Sequence, residues 1–130
     1  MAIYGIGTFY NTDVSREFIS KNKACIGWNY ENAPSLHKVL KYIKIGDLMY
    51  IKSHPPNEGL IIKAVGIVVD DKMSEKDLGT CIEVDWVWQG YEVLGRVGDR
   101  YNVRNTTIYE EMNPDIQQKV IDLLLTSIDR

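Results

Sequence analysis

Apolar positions change their spacing along the chain, and each change predicts an element. Ala2 to Phe9 is apolar with Gly5 and Gly7 inside it, which reads as a strand whose backbone another group approaches closely. Asn11-Thr12-Asp13 offers capping side chains for a short helix through about Ser20, with Val14 and Phe18 one turn apart. A short apolar run, Ala24 to Trp28, precedes a loop from Asn29 to Pro34. Leu36, Val39, Leu40 and Ile43 then recur at helical spacing, and Pro34 suits the first turn of that helix. His37 falls between these core positions and is expected to face solvent.

Gly46-Asp47 closes the helix and opens a strand from Leu48 to Ser53. The segment His54 to Gly59 cannot continue it, because Pro55 and Pro56 remove ladder donors and Gly59 can turn. Leu60 to Val69 is the longest β-branched run, interrupted by Lys63 and Gly66; simple alternation points Lys63 outward. Cys81 to Trp88 alternates, with Ile82, Val84, Trp86 and Trp88 on one face and Glu83, Asp85 and Val87 on the other. Gly90 to Thr107 is polar and glycine-bearing, with a short strand expected around Tyr101-Asn102-Val103. Asn113-Pro114-Asp115 combines a cap, a first-turn proline and an acid at the positive end of a helix dipole. Ile116, Val120, Ile121, Leu124 and Ile128 would turn that helix toward the core. Strands that follow one another through turns favour antiparallel pairing. The expected class is therefore α+β, a small, curved, mostly antiparallel β-barrel flanked by helices.

Composition narrows the function classes. With 130 residues, 45% hydrophobic and 25% charged, the chain is expected to form one globular domain over 1–130, not a disordered, collagenous or disulfide-framework protein. Lys and Arg number 15 against 18 Asp and Glu, a net charge of −3. A protein that coats long duplexes draws its affinity from displaced counterions and would be basic, so that class is excluded. Charge is nevertheless segregated. Lys41 to Lys63 and Gly95 to Arg104 each carry +2, whereas Asp70 to Asp85 carries −4. Local basic rims can focus one anionic ligand without binding a polymer. The two cysteines, Cys25 and Cys81, match no disulfide framework and no metal set, and are expected as free, buried thiols of a reducing cytoplasm. The N-terminal MAIYGIGTFYN lacks the pattern of a signal peptide, and no stretch approaches the roughly 18 apolar residues of a membrane span. The expectation is a soluble, cytoplasmic protein without membrane partners.

The middle of the chain carries a pattern. Gly46-Asp47-Leu48-Met49-Tyr50-Ile51-Lys52-Ser53, followed by Ile62-Lys63-Ala64-Val65-Gly66-Ile67-Val68, resembles the core of EVE-like domains. These belong to the PUA-like superfamily, with the YTH and ASCH domains and the base-reading domains of modification-dependent restriction systems. Ile82-Glu83-Val84-Asp85-Trp86 looks like a later barrel strand of that family, and the Asn113 helix like its closing helix. The resemblance covers most of the chain from about Ala24 onward. It implies a pocket at one barrel mouth that holds a flipped or modified base between aromatic rings and beside backbone polar groups. Trp28 stands where several relatives carry a pocket aromatic, and Lys52-Ser53 matches the family's strand end near the pocket. No second and third cage aromatic stands in the expected stretch, and Trp86 and Trp88 are left between core and pocket.

Residue chemistry points the same way. Trp28, Asn29 and Tyr30 combine a stacking face with an amide edge, which is what a base requires; Trp28 equally suits a cover over the barrel mouth. Lys52, Ser53 and His54 at a strand end bring cationic and hydroxyl donors together for a phosphate. Arg96 and Arg100 flank a glycine turn, and their forks suit phosphate oxygens. The expected ligand site is thus Trp28, Asn29, Tyr30, Lys52, Ser53, His54, Arg96 and Arg100. No catalytic triad, metal spacing or phosphate loop is readable, so neither a cofactor nor a metal is expected. The favoured reading is a non-catalytic module that captures a nucleobase-containing ligand, either a modified base in nucleic acid or a small nucleotide. Three alternatives stay open. One is sequestration of a cyclic-nucleotide signal, as phage counter-defence proteins do. Another is an ASCH-like nuclease or small amidohydrolase using Lys52, His54 and Glu83. The last is a protein-interaction module, such as a homo-oligomer formed through a strand edge or the Tyr-rich surface.

Overall fold

A computed structural model describes residues 1–28, 30–76, 78–97 and 103–128. The elements in chain order are β1 (Ile3–Gly7), β2 (Phe9–Tyr10), β3 (Thr12–Asp13), α1 (Ser15–Lys21), β4 (Lys23–Ile26), α2 (Pro34–Tyr42), β5 (Leu48–Ser53), β6 (Leu60–Lys76), β7 (Gly79–Gly95), β8 (Ile108–Glu110) and α3 (Pro114–Ile128). A 3-10 turn, Val103–Asn105, precedes β8. Six strands form one sheet in the order β4-β7-β6-β5-β1-β8, and β2-β3 is a separate two-stranded ribbon. Only β1 and β5 run parallel; every other pairing in the sheet is antiparallel. The sheet curls into a half-barrel flanked by three helices, the small, curved, mostly antiparallel α+β architecture expected.

Both faces of this sheet are covered, which explains why β5 reads as an unbroken apolar run instead of an alternating one. Met49 and Ile51 enter one cluster with Tyr4, Ile6, Phe18 of α1, Leu40 of α2, Ala64 and Val84. Leu48 and Tyr50 enter the other with Ile3, Ile62, Val65 and the α3 residues Ile116, Val120, Leu123 and Leu124. Asn113 caps α3 as expected, its Oδ1 accepting the Asp115 and Ile116 amides at 2.9 and 3.3 Å. Ile128, however, is exposed at the end of that helix, and Leu123 takes the buried position instead.

Several expectations are corrected. Cys25 and Cys81 are register partners across β4 and β7 and are joined as a disulfide, so they are not free thiols. Spacing along the chain cannot reveal such a pair; strand register creates it. With the bridge, the cysteines no longer argue for a reducing compartment. Among the described residues, no helix is long and apolar enough to cross a membrane. His37 is buried, not solvent-facing: its Nε2 donates to the Trp28 carbonyl at 2.8 Å. The single face predicted for Trp86 and Trp88 is split by a bulge, because Val65 pairs with Trp88 and Gly66 with Trp86, leaving Val87 extra. Trp86 packs against the first cluster and Trp88 against the second, both partly buried on opposite sides of the sheet. The short helix expected after Asn11-Thr12-Asp13 is α1, with Asp13 Oδ1 accepting the Ser15 amide at 2.9 Å, but Asn11, at φ 66°, first turns β2 into β3. Val103 lies in the 3-10 turn, not a strand, and Tyr101 and Asn102 lie outside the described residues.

Candidate functional site

At one mouth of the curl lies an open cleft of about 900 Å³, the upper part of the size range of pockets that take one small molecule. Four sequence-predicted residues line it: Trp28 after β4, Lys52 and Ser53 at the end of β5, and His54 just beyond. Tyr30 does not line it; its ring stands edge-on to His37 with centroids 5.5 Å apart. Arg96 is exposed and outside the lining, while Asn29 and Arg100 lie outside the described residues.

The remaining wall comes from elements that periodicity did not mark. Gly7, Thr8, Phe9, Tyr10, Asn11 and Asp13 supply one side, Pro55, Pro56 and Lys63 a second, and Asn105, Thr106 and Thr107 a third. Phe9 is 77% exposed and Trp28 52%, so two aromatic faces in this cleft are open to a ligand. Tyr10, by contrast, is structural. Its hydroxyl donates to the Cys25 and Leu78 carbonyls at 3.1 and 2.9 Å, and burial pushes its pKa up to about 12.

Trp28 is held at two points. Its indole Nε1 donates to Thr107 Oγ1 at 3.3 Å, tying the end of β4 to the segment before β8. Its carbonyl takes the His37 bond from α2. A ring fixed in this way loses little freedom when a planar ligand stacks on it.

Lys52 sits deeper. Its Nζ donates to the Arg104 carbonyl at 2.5 Å and stands 5.8 Å from the centre of the Tyr109 ring, and its stem runs past Gly7. A Cβ on Gly7 would lie 3.3 Å from Lys52 Cε, so glycine leaves the stem its room. Burial without a carboxylate partner lowers the Lys52 pKa to about 8. Beneath it the Arg104 guanidinium pairs with Glu111, both buried, through Nε at 3.0 Å and Nη2 at 2.5 Å. Tyr50 donates to the same carboxylate at 2.6 Å and stands 2.7 Å from the Tyr109 hydroxyl. Burial, then the Tyr109 and Glu111 charges, raise the Tyr50 pKa far above its ordinary value. Gly5 admits this network: a Cβ there would come within 2.5 Å of Tyr109, the close approach expected for the first strand. The network pins the 3-10 turn, and through the Arg104 carbonyl it fixes Lys52.

Lys63 was expected to face outward. Instead its Nζ reaches Asp13 Oδ2 at 2.8 Å on the cleft wall, with both side chains partly exposed. Burial works to raise the Asp13 pKa, but bonds from Lys63, the Ser15 amide and the Thr8 hydroxyl outweigh it and hold the carboxyl at about 2. His54 Nδ1 lies 3.2 Å from Asn105 Oδ1. Glu83 is on β7 opposite Lys23, outside the lining, so the residues required by a hydrolase reading are not brought together.

No protein-family model matches this chain, and no curated protein matches it. Two open aromatic faces, one desolvated cation and a wall of hydroxyl, amide and imidazole groups suit a planar, hydrogen-bonding ligand that carries an anion. Among the described residues, no group of three or more His, Cys, Asp or Glu side chains could hold a metal ion.

Proposed function

We propose that the chain is a non-catalytic binding module that captures a nucleobase-containing ligand in the cleft at the mouth of the half-barrel. The base stacks on Trp28, with Phe9 offering a second apolar face. Lys52 holds the phosphate, and Ser53, His54 and Asn105 offer hydrogen bonds to sugar or base edges. One observation carries the reading: the half-exposed Trp28, anchored through its indole and its backbone carbonyl, and the partly buried, carboxylate-free Lys52 ammonium line the same cleft from separate elements. The likeness of the Gly46 to Val68 stretch to EVE-like domains supports it.

Isothermal titration with single nucleotides and short modified oligonucleotides tests the proposal. Stacking on one ring is worth roughly 1–3 kcal/mol, so Trp28→Ala is expected to weaken the best ligand about 5- to 150-fold. A ligand bound equally well by Trp28→Ala would place the site elsewhere, and no binding by any member of the panel would remove the proposal.

A further inference from the structure

Among the described residues, Lys63 and Arg104 beside the cleft already have their countercharges and Lys52 does not. Lys63 is paired with Asp13 at 2.8 Å on the wall, and the Arg104 guanidinium is turned into the core against Glu111. Lys52 alone is satisfied by dipoles, the Arg104 carbonyl and the face of Tyr109, and it makes no ion pair with a described residue. The other titratable groups of the lining are His54 and Tyr10. Among the described lining residues Asp13 is the one carboxylate, fixed in place by Lys63, the Ser15 amide and the Thr8 hydroxyl. Asp13 and Lys63 neutralise each other, so the described lining offers one unmatched positive charge, that of Lys52.

Resting on the nucleobase reading above, we infer that the ligand's anionic group is a single phosphodiester, with Lys52 as its anchor and Asp13 as the residue that, by holding Lys63, leaves no second cation for a second negative charge. A phosphodiester carries one charge at neutral pH and is matched by Lys52. A terminal phosphomonoester carries about 1.5 to 2, because its second pKa is about 6. The surplus would stand in the cleft without a matching cation, because Lys63 is already held by Asp13. Two sources present the accepted group: a nucleotide inside a single strand and a free 3′,5′-cyclic nucleotide.

The test compares, at pH 7.5 and low salt, a nucleoside 5′-monophosphate with its methyl ester. The two differ by one charge and keep base and sugar constant. The common bases and their methylated forms are each measured by titration calorimetry on the intact protein. The methyl ester is expected to bind about tenfold more tightly or better, the effect of roughly one uncompensated interaction of 1.4 kcal/mol. Asp13→Asn keeps an acceptor for the Thr8 and Ser15 bonds and is expected to narrow that preference by strengthening the monoester. Lys52→Met is expected to weaken both. Equal or tighter monoester binding in the unaltered protein overturns this inference while leaving the nucleobase site standing. A preference unchanged in Asp13→Asn overturns the role of Asp13. Absence of binding by every probe removes the site and the inference together. A cyclic mononucleotide and an unphosphorylated single-stranded tetranucleotide complete the panel, and whichever binds more tightly identifies the source.

Discussion

Lys52 concentrates the chemistry of the molecule at a single atom. A cation this deep, facing a carbonyl and a ring instead of a carboxylate, is destabilised in the folded chain and relieved in the unfolded one. Its folded pKa is about 8 against an ordinary 10.5. Between those values the unfolded chain binds more protons, so the Lys52 contribution to stability rises as pH increases through that window. Urea midpoints measured from pH 7.5 to 9.5 are expected to rise relative to those of Lys52→Met, in which this dependence is lost; parallel curves would contradict the placement of Lys52. Ligand affinity should move the opposite way. An anion bound to the ammonium is released as pH rises past about 8. Other residues were legible to different degrees. Trp28, Lys52, Ser53 and His54 announced themselves, because an indole, a cation and an imidazole stand at the ends of apolar runs. Asp13 did not, since an acid after Asn11-Thr12 looks like helix capping, and its partner Lys63 looks solvent-facing under alternation. His37 was misread because its polar ring has a backbone partner that only the loop after β4 provides.

At the level of elements, the cleft depends on strand ends being held where the sheet stops. The Cys25–Cys81 bridge ties edge strand β4, which carries Trp28 at its end, to β7 across 56 residues of sequence. A cross-link closing a loop of that order contributes about 2–4 kcal/mol. The Cys25→Ala, Cys81→Ala double variant is expected to lower the urea midpoint correspondingly. Alkylation of the native protein without reductant should add no mass. Alkylated cysteines and an unchanged midpoint would show the bridge to be absent. The legibility of elements follows their burial. β5 was read to the residue and α3 to within its last turn, because their apolar content is dictated by packing. The outer half of the β6-β7 hairpin, Asp70 to Lys76, has no apolar alternation to read; the ladder to β7 holds it in strand form. β8 is only three residues long, and the bulge opposite Val65 and Gly66 broke an alternation that looked regular.

Across the whole molecule, two apolar clusters on opposite faces of one curled sheet leave their polar exceptions at a common mouth. The buried Arg104–Glu111–Tyr50–Tyr109 group is a floor beneath Lys52, α2 braces Trp28 from behind, and the β2-β3 ribbon forms a wall that ends in Asp13. The net charge of −3 argues against a polymer-coating protein, and a single unmatched cation in the cleft suits one small anion. Site and scaffold therefore make separable demands on the sequence, and only the scaffold's demand is periodic.

The central claim is that this cleft is where the ligand binds. Amide and indole chemical-shift mapping during a nucleotide titration tests it most directly, because the three tryptophans report from different places. The Trp28 indole signal is expected to move together with the amides of Lys52, His54 and Thr107. The Trp86 indole, bonded to the Lys23 carbonyl at 3.0 Å, should stay fixed, as should α3. Shifts centred on Trp86, on α3 or on the outer β6-β7 hairpin, or no shifts at saturating nucleotide, would contradict it.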